Sequence, residues 1–170
     1  MRNLLRAFVG TGILLGVAGG ASAANPATTT FTVSATVLKN CTVSATNLTF
    51  GNYTPTGGAV AANSTVSVSC TKSTAFTVAL NKGTTSGGTV AQRLLSDGSG
   101  DTLQYNLYTT AAFATVWGDG TGSSVTQAGT GAGMGTPQVL TAYGQLPDSA
   151  ANQAVPPNPY SDTITVSVAY

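Results

Sequence analysis

The 170-residue sequence contains no histidine and no glutamate, so its five acidic residues are all aspartates. Without histidine, the chain lacks the imidazole that most often serves as a general base or a metal ligand near neutral pH. This absence excludes the catalytic triads that depend on histidine. We therefore expect a protein that is not an enzyme and that has no small-molecule substrate, cofactor or metal.

Charged side chains are also scarce, because they make up 6% of the chain against roughly 25% in ordinary soluble domains. Six basic and five acidic residues leave a net charge of +1, and they form no basic cluster in the sequence. Phosphate binding needs clustered cations, so we expect no nucleic-acid partner. Few charges also offer little electrostatic resistance to association, which favours a protein that packs against copies of itself.

The first residues are typical of a secretory signal peptide. Arg2 and Arg6 form a basic start, residues 7–17 are mostly apolar, and residues 21–23 read Ala-Ser-Ala. This pattern predicts cleavage after Ala23. A retained membrane anchor is the alternative, but the apolar stretch is short for a membrane span and is interrupted by glycines.

Cysteine is limited to Cys41 and Cys70. Export would bring both residues into an oxidising compartment, where a disulfide is the expected state. Both fall on the apolar side of alternating stretches, so a bridge between them is geometrically reasonable. It would close a loop of about 30 residues and stabilise the fold by roughly 3–4 kcal/mol. Two buried free thiols are the alternative.

Alternation of apolar and polar residues dominates the rest of the chain, and glycine and proline separate the alternating runs. Such runs are typical of short β-strands. The predicted strands are residues 28–37, 41–53 with a change of phase near 46–47, 65–70, 75–80, 102–109, 115–117, 138–144 and 163–170. Loops are predicted at residues 81–88, 118–135 and 146–160. This pattern favours an all-β, immunoglobulin-like sandwich.

Two Gly-rich stretches contain aspartates, DGSGD at residues 97–101 and WGDGTG at residues 117–122. Neither has the dense ligand series and the terminal glutamate of an EF-hand calcium loop. Their composition instead favours turns in which each aspartate caps its own backbone. Trp117 and the six tyrosines could line a carbohydrate or surface-contact site, although such residues more often fill sandwich cores.

Seven motifs follow one another along the chain: FTVSATV, C-x-V, LTFGNY, VSVSC, LQYNLYT, VWGDGTG and the terminal PYSDTITVSVAY. Taken together, they resemble the spore coat U domain family. That family includes subunits of archaic, Csu-type chaperone–usher pili. The resemblance covers essentially the whole chain after the signal peptide.

The resemblance implies an incomplete immunoglobulin-like β-sandwich that lacks its final strand. In such pili a periplasmic chaperone lends a strand, and an outer-membrane usher then replaces it with the N-terminal extension of the next subunit. Residues 24–38 would be the donor extension and residues 39–170 the pilin domain. The donor side chains would be Phe31, Val33, Ala35 and Val37. The edge strand bordering the acceptor groove would contribute Ile164, Val166, Val168 and Tyr170.

The resemblance also implies a structural pilus subunit, secreted through the periplasm to the cell surface, that supports attachment and biofilm formation. Its partners would be copies of itself or sister pilins, the chaperone and the usher. An unpartnered terminal strand is a hazard unless it is meant to pair with another chain. The alternative is a self-contained secreted β-sandwich, a coat or glycan-binding protein, in which residues 28–37 form an edge strand of their own domain.

Overall fold

The computed structural model describes residues 25–170, so the predicted signal peptide lies outside the described residues. The chain divides into two units between Ala35 and Thr36. The second unit holds eight strands and one helical turn. They are β1 (Cys41–Ala45), β2 (Val60–Cys70), β3 (Ala75–Leu80), β4 (Arg93–Ser96), β5 (Thr102–Tyr108), β6 (Gln127–Thr130), β7 (Gln138–Leu146), α1 (Ala150–Gln153) and β8 (Val166–Ala169).

The strands form two antiparallel sheets. Their order is β1-β2-β7-β5-β4 in the larger sheet and β6-β3-β8 in the smaller one. Inward-facing side chains from both sheets make one apolar core, which is dominated by valine, leucine and aromatic residues. The all-β sandwich that the sequence predicted is confirmed.

Strand β2 illustrates why these residues form strands. Val66, Val68 and Cys70 are buried, whereas Ser67 and Ser69 alternate with them and are half-buried on the other face. β-Branched side chains suit this pleated, half-buried geometry. The inward and outward rows predicted for residues 65–70 are therefore confirmed.

The strand predicted at residues 41–53 is wrong beyond Ala45, where β1 ends. Leu48 and Phe50 nevertheless pack against the core, as their phase predicted. They cross over Gly144, where a Cβ atom would lie 2.7 Å from Leu48 Cδ1. The glycine therefore makes room for a segment that crosses the sheet instead of extending it.

Some elements have no counterpart in the sequence predictions. β4 and β6 lie in stretches without predicted strands, and α1 lies inside the predicted loop 146–160. The strand predicted at residues 115–117 is reduced to isolated bridges at Val116 and Trp117. Within residues 25–170, no helix is long and apolar enough to cross a membrane.

Residues 25–40 belong to no strand. Phe31, Val33 and Val37 are 86%, 83% and 84% exposed, and Ala35 is exposed as well. Three large apolar side chains are therefore left in solvent at alternating positions. No strand among residues 25–170 pairs with residues 28–37, and their role as a donor stays a prediction.

Candidate functional site: an open seam between two edge strands

Strand β1 carries an apolar row on the inner face of the larger sheet. In its register with β2, Cys41 lies opposite Cys70, and Val43 lies opposite Val68. The two cysteines form a disulfide, as predicted. Val68 is completely buried, yet Val43 is 40% exposed, although paired residues point to the same face of a sheet. The inner face is therefore covered over β2 and open over β1.

Strand β8 is an edge of the smaller sheet, and among the described strands it pairs only with β3. Val166 and Val168 lie opposite Leu80 and Val78, which are buried. Val166 and Val168 also pack against the core, but both are only half-buried. The core is thus open along β8 as well as along β1.

Two more residues were predicted in this edge strand. Ile164 lies before β8, where it packs half-buried against the core. Tyr170 follows the last strand residue and is 54% exposed. The structure therefore brings Ile164, Val166 and Val168 into one inner row and leaves Tyr170 at its exposed end.

The free edge of β1 has main-chain groups without a strand partner. Residues in an antiparallel pair alternate between bonding to the partner strand and pointing N–H and C=O the other way. The Thr46 N–H donates to the Thr65 carbonyl (2.9 Å), and the Thr71 N–H donates to the Asn40 carbonyl (2.9 Å). The even-numbered residues of β1 therefore bond to β2, and Val43 directs its N–H and C=O to the open side.

The same alternation applies to β8. The Asn81 N–H donates to the Thr165 carbonyl at 3.1 Å, which places the odd-numbered residues of this segment on the β3 side. Val166 and Val168 consequently direct their N–H and C=O groups to the free edge. The residues with half-covered side chains are thus also the residues with unpaired main-chain groups.

We name these two free edges, of β1 and β8, the open seam. Their Cα atoms approach to within 8 Å, and no strand among residues 25–170 pairs with the free edge of either. One extended segment with apolar side chains at every second position would pair with the main chain and cover the exposed valines. The open seam can therefore bind one added β-strand.

The family model of the Spore Coat Protein U domain matches residues 27–167. The chain belongs to the spore coat protein U family. The matched region begins in the exposed N-terminal segment and ends within β8. It therefore includes the predicted donor row, all of β1 and the first two residues of β8. No curated protein matches the chain.

A solved structure shares the fold of this spore coat U domain. It is the crystal structure of the CsuC–CsuE chaperone–tip adhesion subunit pre-assembly complex, from the archaic chaperone–usher Csu pili of Acinetobacter baumannii. The TM-score is 0.55 at 23% sequence identity, over 79% of this chain and 40% of that chain. This chain therefore spans about two fifths of the length of its structural neighbour, and the likeness concerns the fold.

Arg93 is a buried residue of the spore coat U domain that the sequence analysis missed. Its guanidinium is completely buried, and it donates to the carbonyls of Asn81 (2.9 Å), Leu80 (3.2 Å) and Trp117 (3.0 Å) and to Asn106 Oδ1 (2.6 Å). Burial lowers the pKa of this guanidinium, and nearby Tyr105 and Asp162 oppose the shift. Arg93 thus joins β4 and β5 of one sheet to the end of β3 in the other.

Trp117 belongs to the same buried region. It is completely buried, and its indole N–H donates to the Val78 carbonyl at 3.0 Å. The core role favoured for Trp117 is therefore confirmed. The sequence offered one signal for Arg93, a lone cation beside two leucines, but its partners are main-chain carbonyls that only the tertiary fold brings together.

Asp148 follows β7 and ties it to the segment before β2. Its carboxylate accepts hydrogen bonds from the Tyr53 hydroxyl (2.5 Å) and from the N–H groups of Gly58 (2.9 Å) and Thr56 (3.2 Å). The Tyr53 bond is the largest influence that holds the pKa of Asp148 below its usual value. Desolvation and the same bond raise the pKa of Tyr53 to about 12. The hydrogen bond between Tyr53 and Asp148 therefore holds the segment before β2 against the end of β7 through protein groups alone.

Asp97 and Asp119 occupy the Gly-rich turns. Asp97 Oδ1 accepts from the Ser99 N–H (2.8 Å), and Asp119 Oδ1 accepts from the N–H (2.9 Å) and hydroxyl (2.6 Å) of Thr121. The prediction that these aspartates cap their own backbone is confirmed. Across the described part of the chain, no three residues of the metal-ligating types come together.

Proposed function

We propose that this chain is a structural subunit of a bacterial surface pilus, assembled when the N-terminal segment of one subunit fills the open seam of the next. The open seam carries this proposal, because two facing edges offer unpaired main-chain groups and half-covered valines. Membership of the spore coat protein U family supports it. The structural neighbour, a pilus subunit in complex with its chaperone, supports it further.

The segment of residues 24–38 is the occupant that the seam would accept. Phe31, Val33, Ala35 and Val37 are exposed and have the two-residue spacing of a strand face. Full burial of a valine or phenylalanine side chain is worth about 1.5–3 kcal/mol. The opposite row of residues 30–36 is threonine and serine, which suits the solvent-facing side of an inserted strand.

This arrangement joins subunits head to tail. Each subunit would donate a segment from one end and accept a segment along its seam, so the two surfaces of one contact differ. Such a heterologous contact that does not close into a ring generates an open filament. In this proposal a periplasmic chaperone occupies the seam before assembly, an outer-membrane usher exchanges the strands, and the filament at the cell surface serves attachment and biofilm formation.

Substitutions on the two faces of the donor segment test the proposal. Val33→Asp places a charge in the row that would enter the seam, whereas Thr32→Asp places the same charge one residue away on the opposite face. We expect Val33→Asp to abolish heat-sensitive multimers on unheated gels and Thr32→Asp to retain them. A mature chain that begins at Lys39 should remain folded when it is produced with its periplasmic chaperone, and it should form no multimers.

The alternative of a self-contained coat or glycan-binding sandwich makes the opposite prediction. In that protein the N-terminal segment completes its own domain, so a chain beginning at Lys39 would lose its fold. Equal behaviour of Val33→Asp and Thr32→Asp would also overturn the proposal, because strand insertion distinguishes the two faces of the segment.

A further inference from the structure

We propose that Asp162 is a positioning residue that fixes the start of β8, so that the open seam is shaped before a strand enters it. This inference rests on the proposed function, because it concerns the same seam. Its evidence lies in the contacts of Asp162 and of the residues on either side of it.

The carboxylate of Asp162 accepts hydrogen bonds from two other parts of the domain. Oδ1 accepts the N–H groups of Thr84 (2.9 Å) and Thr85 (3.0 Å) and both of their hydroxyls (3.1 Å each). Oδ2 accepts the hydroxyl of Tyr105, which lies on β5 (2.7 Å). We name these four residues the aspartate clasp.

The loop after β3 is shaped to receive this carboxylate. A Cβ atom at Gly83 would lie 1.9 Å from Asp162 Oδ2, and Gly83 has a φ of +90°. Both the close approach and the left-handed backbone favour glycine. The loop can therefore wrap the carboxylate only because residue 83 has no side chain.

The residues beside Asp162 are held as well. Ser161 exchanges main-chain hydrogen bonds with Ser96 of β4, both at 2.9 Å. The Thr165 N–H donates to the side-chain oxygen of Asn81 (2.9 Å), which also accepts the Gly83 N–H (3.1 Å). The approach to β8 is thus fastened to β4, β5 and the loop after β3, whereas β8 itself pairs with β3 alone in the part of the chain that the structure describes.

A carboxylate is the group that this position requires. All five groups that hydrogen-bond to it, from three residues, are donors, and an ionised carboxylate is an acceptor with no competing N–H or O–H. An asparagine would turn an NH2 group toward one set of donors and leave them unpaired. The start of β8 would then lose its anchor, and the free edge would no longer hold a fixed place in the seam.

Asp162→Asn in the full mature chain tests this inference, with Asp119→Asn as the matched control because the hydrogen bonds that Asp119 accepts come from Thr121 in its own turn. Every chain compared, the unmodified reference included, also carries Val33→Asp, which should prevent assembly and leave the seam open. Two quantities are measured. One is amide hydrogen exchange at Thr165 and Ser167, compared with Val66 and Val68. The other is the rate at which a labelled peptide of residues 25–38 becomes bound, at a temperature where every variant is folded.

We expect Asp162→Asn to speed exchange at Thr165 and Ser167 and to slow peptide binding, each at least tenfold, with the β2 amides unchanged. Asp119→Asn should match the unmodified chain. Tyr105→Phe, which removes one donor and keeps the ring, should change both quantities in the same direction by a smaller factor. It also serves as the test if Asp162→Asn fails to fold.

Unchanged exchange at Thr165 and Ser167, or unchanged peptide binding, would overturn the positioning role. Equal acceleration in β2 would also overturn it, because that result means general destabilisation. If the unmodified chain binds no peptide, the proposed function falls and the positioning role falls with it. If Asp162→Asn still speeds exchange at Thr165 and Ser167 in that case, Asp162 anchors β8 within the domain and has no role in strand binding.

Discussion

The same tetrapeptide occurs within strand β2 and at the start of strand β8, where its first residue, Thr165, directly precedes the strand. Residues 65–68 and residues 165–168 both read Thr-Val-Ser-Val. In β2 the two valines are buried, because β2 is paired with β1 on one edge and with β7 on the other. In β8 the two valines are half-buried, because β8 has β3 on one edge and no described strand on the other.

The difference teaches that burial here is decided by neighbours rather than by local sequence. Identical residues with identical alternation provide the same apolar row and the same main-chain groups in both strands. One copy has a full set of partners, and the other lacks one strand. The open seam is therefore a property of strand order, and a second chain could complete it.

One substitution made in both copies of the tetrapeptide should produce the largest contrast. Val68→Asp would place an unpaired charge in a fully buried position, a change that typically costs more than about 4 kcal/mol, so we expect no folded domain. Val168→Asp would place the charge at the open edge. It should leave the unassembled domain folded, with a loss within about 2 kcal/mol, and should abolish multimers.

Circular dichroism melting and unheated gels measure these two outcomes. Val68→Ala and Val168→Ala serve as controls that shorten the same side chains without adding charge. Equal unfolding by both aspartate variants would break the comparison, because it would mean that β8 is as enclosed as β2.

The strands with the clearest alternation could be predicted from the sequence. Residues 65–70, 75–80 and 102–108 carry apolar side chains at every second position, and each lies in a strand of the structure. The apolar row on β8 could also be predicted from its alternation. Its partial exposure could not, because the valines of the identical tetrapeptide in β2 are buried.

Other features left no signal that alternation could detect. β6 consists of Gln-Ala-Gly-Thr, and its Gly129 lies where a Cβ atom would come within 2.4 Å of the Phe76 ring. β6 thus depends on packing against Phe76, a contact that the sequence of β6 does not indicate. Arg93 and Asp162 were missed for the same reason, since their partners come from distant loops and strands.

The disulfide distinguishes the two edges of the seam. Cys41 and Cys70 join β1 to β2 with a sequence separation of 29 residues, whereas β8 has no covalent tie among the described residues. Replacing both cysteines by serine should lower the free energy of unfolding by roughly 3–4 kcal/mol in the chain-entropy estimate. Urea unfolding of the unmodified and double-serine chains, each with and without a reducing agent, measures the change.

The reducing agent should destabilise the unmodified chain to the level of the double-serine chain and leave the latter unchanged. A double-serine chain as stable as the oxidised protein would mean that β1 is held to β2 by its strand pairing alone. In that case the two edges of the seam would be equally weakly attached.

Lowering the pH should destabilise β8 before it destabilises β2. This is the smallest of the predicted effects and the most selective one. Burial raises the pKa of Asp162, but hydrogen bonds from Tyr105, Thr85 and Thr84 outweigh it and hold the pKa below its usual value. The unfolded value is about 3.9. A depressed pKa contributes stability that is present above the unfolded value and is lost as the pH falls through the folded value. The clasp should therefore open below about pH 4.

The positive charge of Arg93 lies near this carboxylate and favours its ionised form, so it acts in the same direction as the clasp. Amide exchange from pH 6 to pH 2, corrected for its intrinsic pH dependence, should show protection lost at Thr165 before Val66. In Asp162→Asn, Thr165 should no longer lose protection at a higher pH than Val66, because residue 162 then takes up no proton. Loss of protection at both residues at one pH would show that the two copies of the tetrapeptide unfold as a single unit, and that the anchor of β8 does not depend on the charge of Asp162.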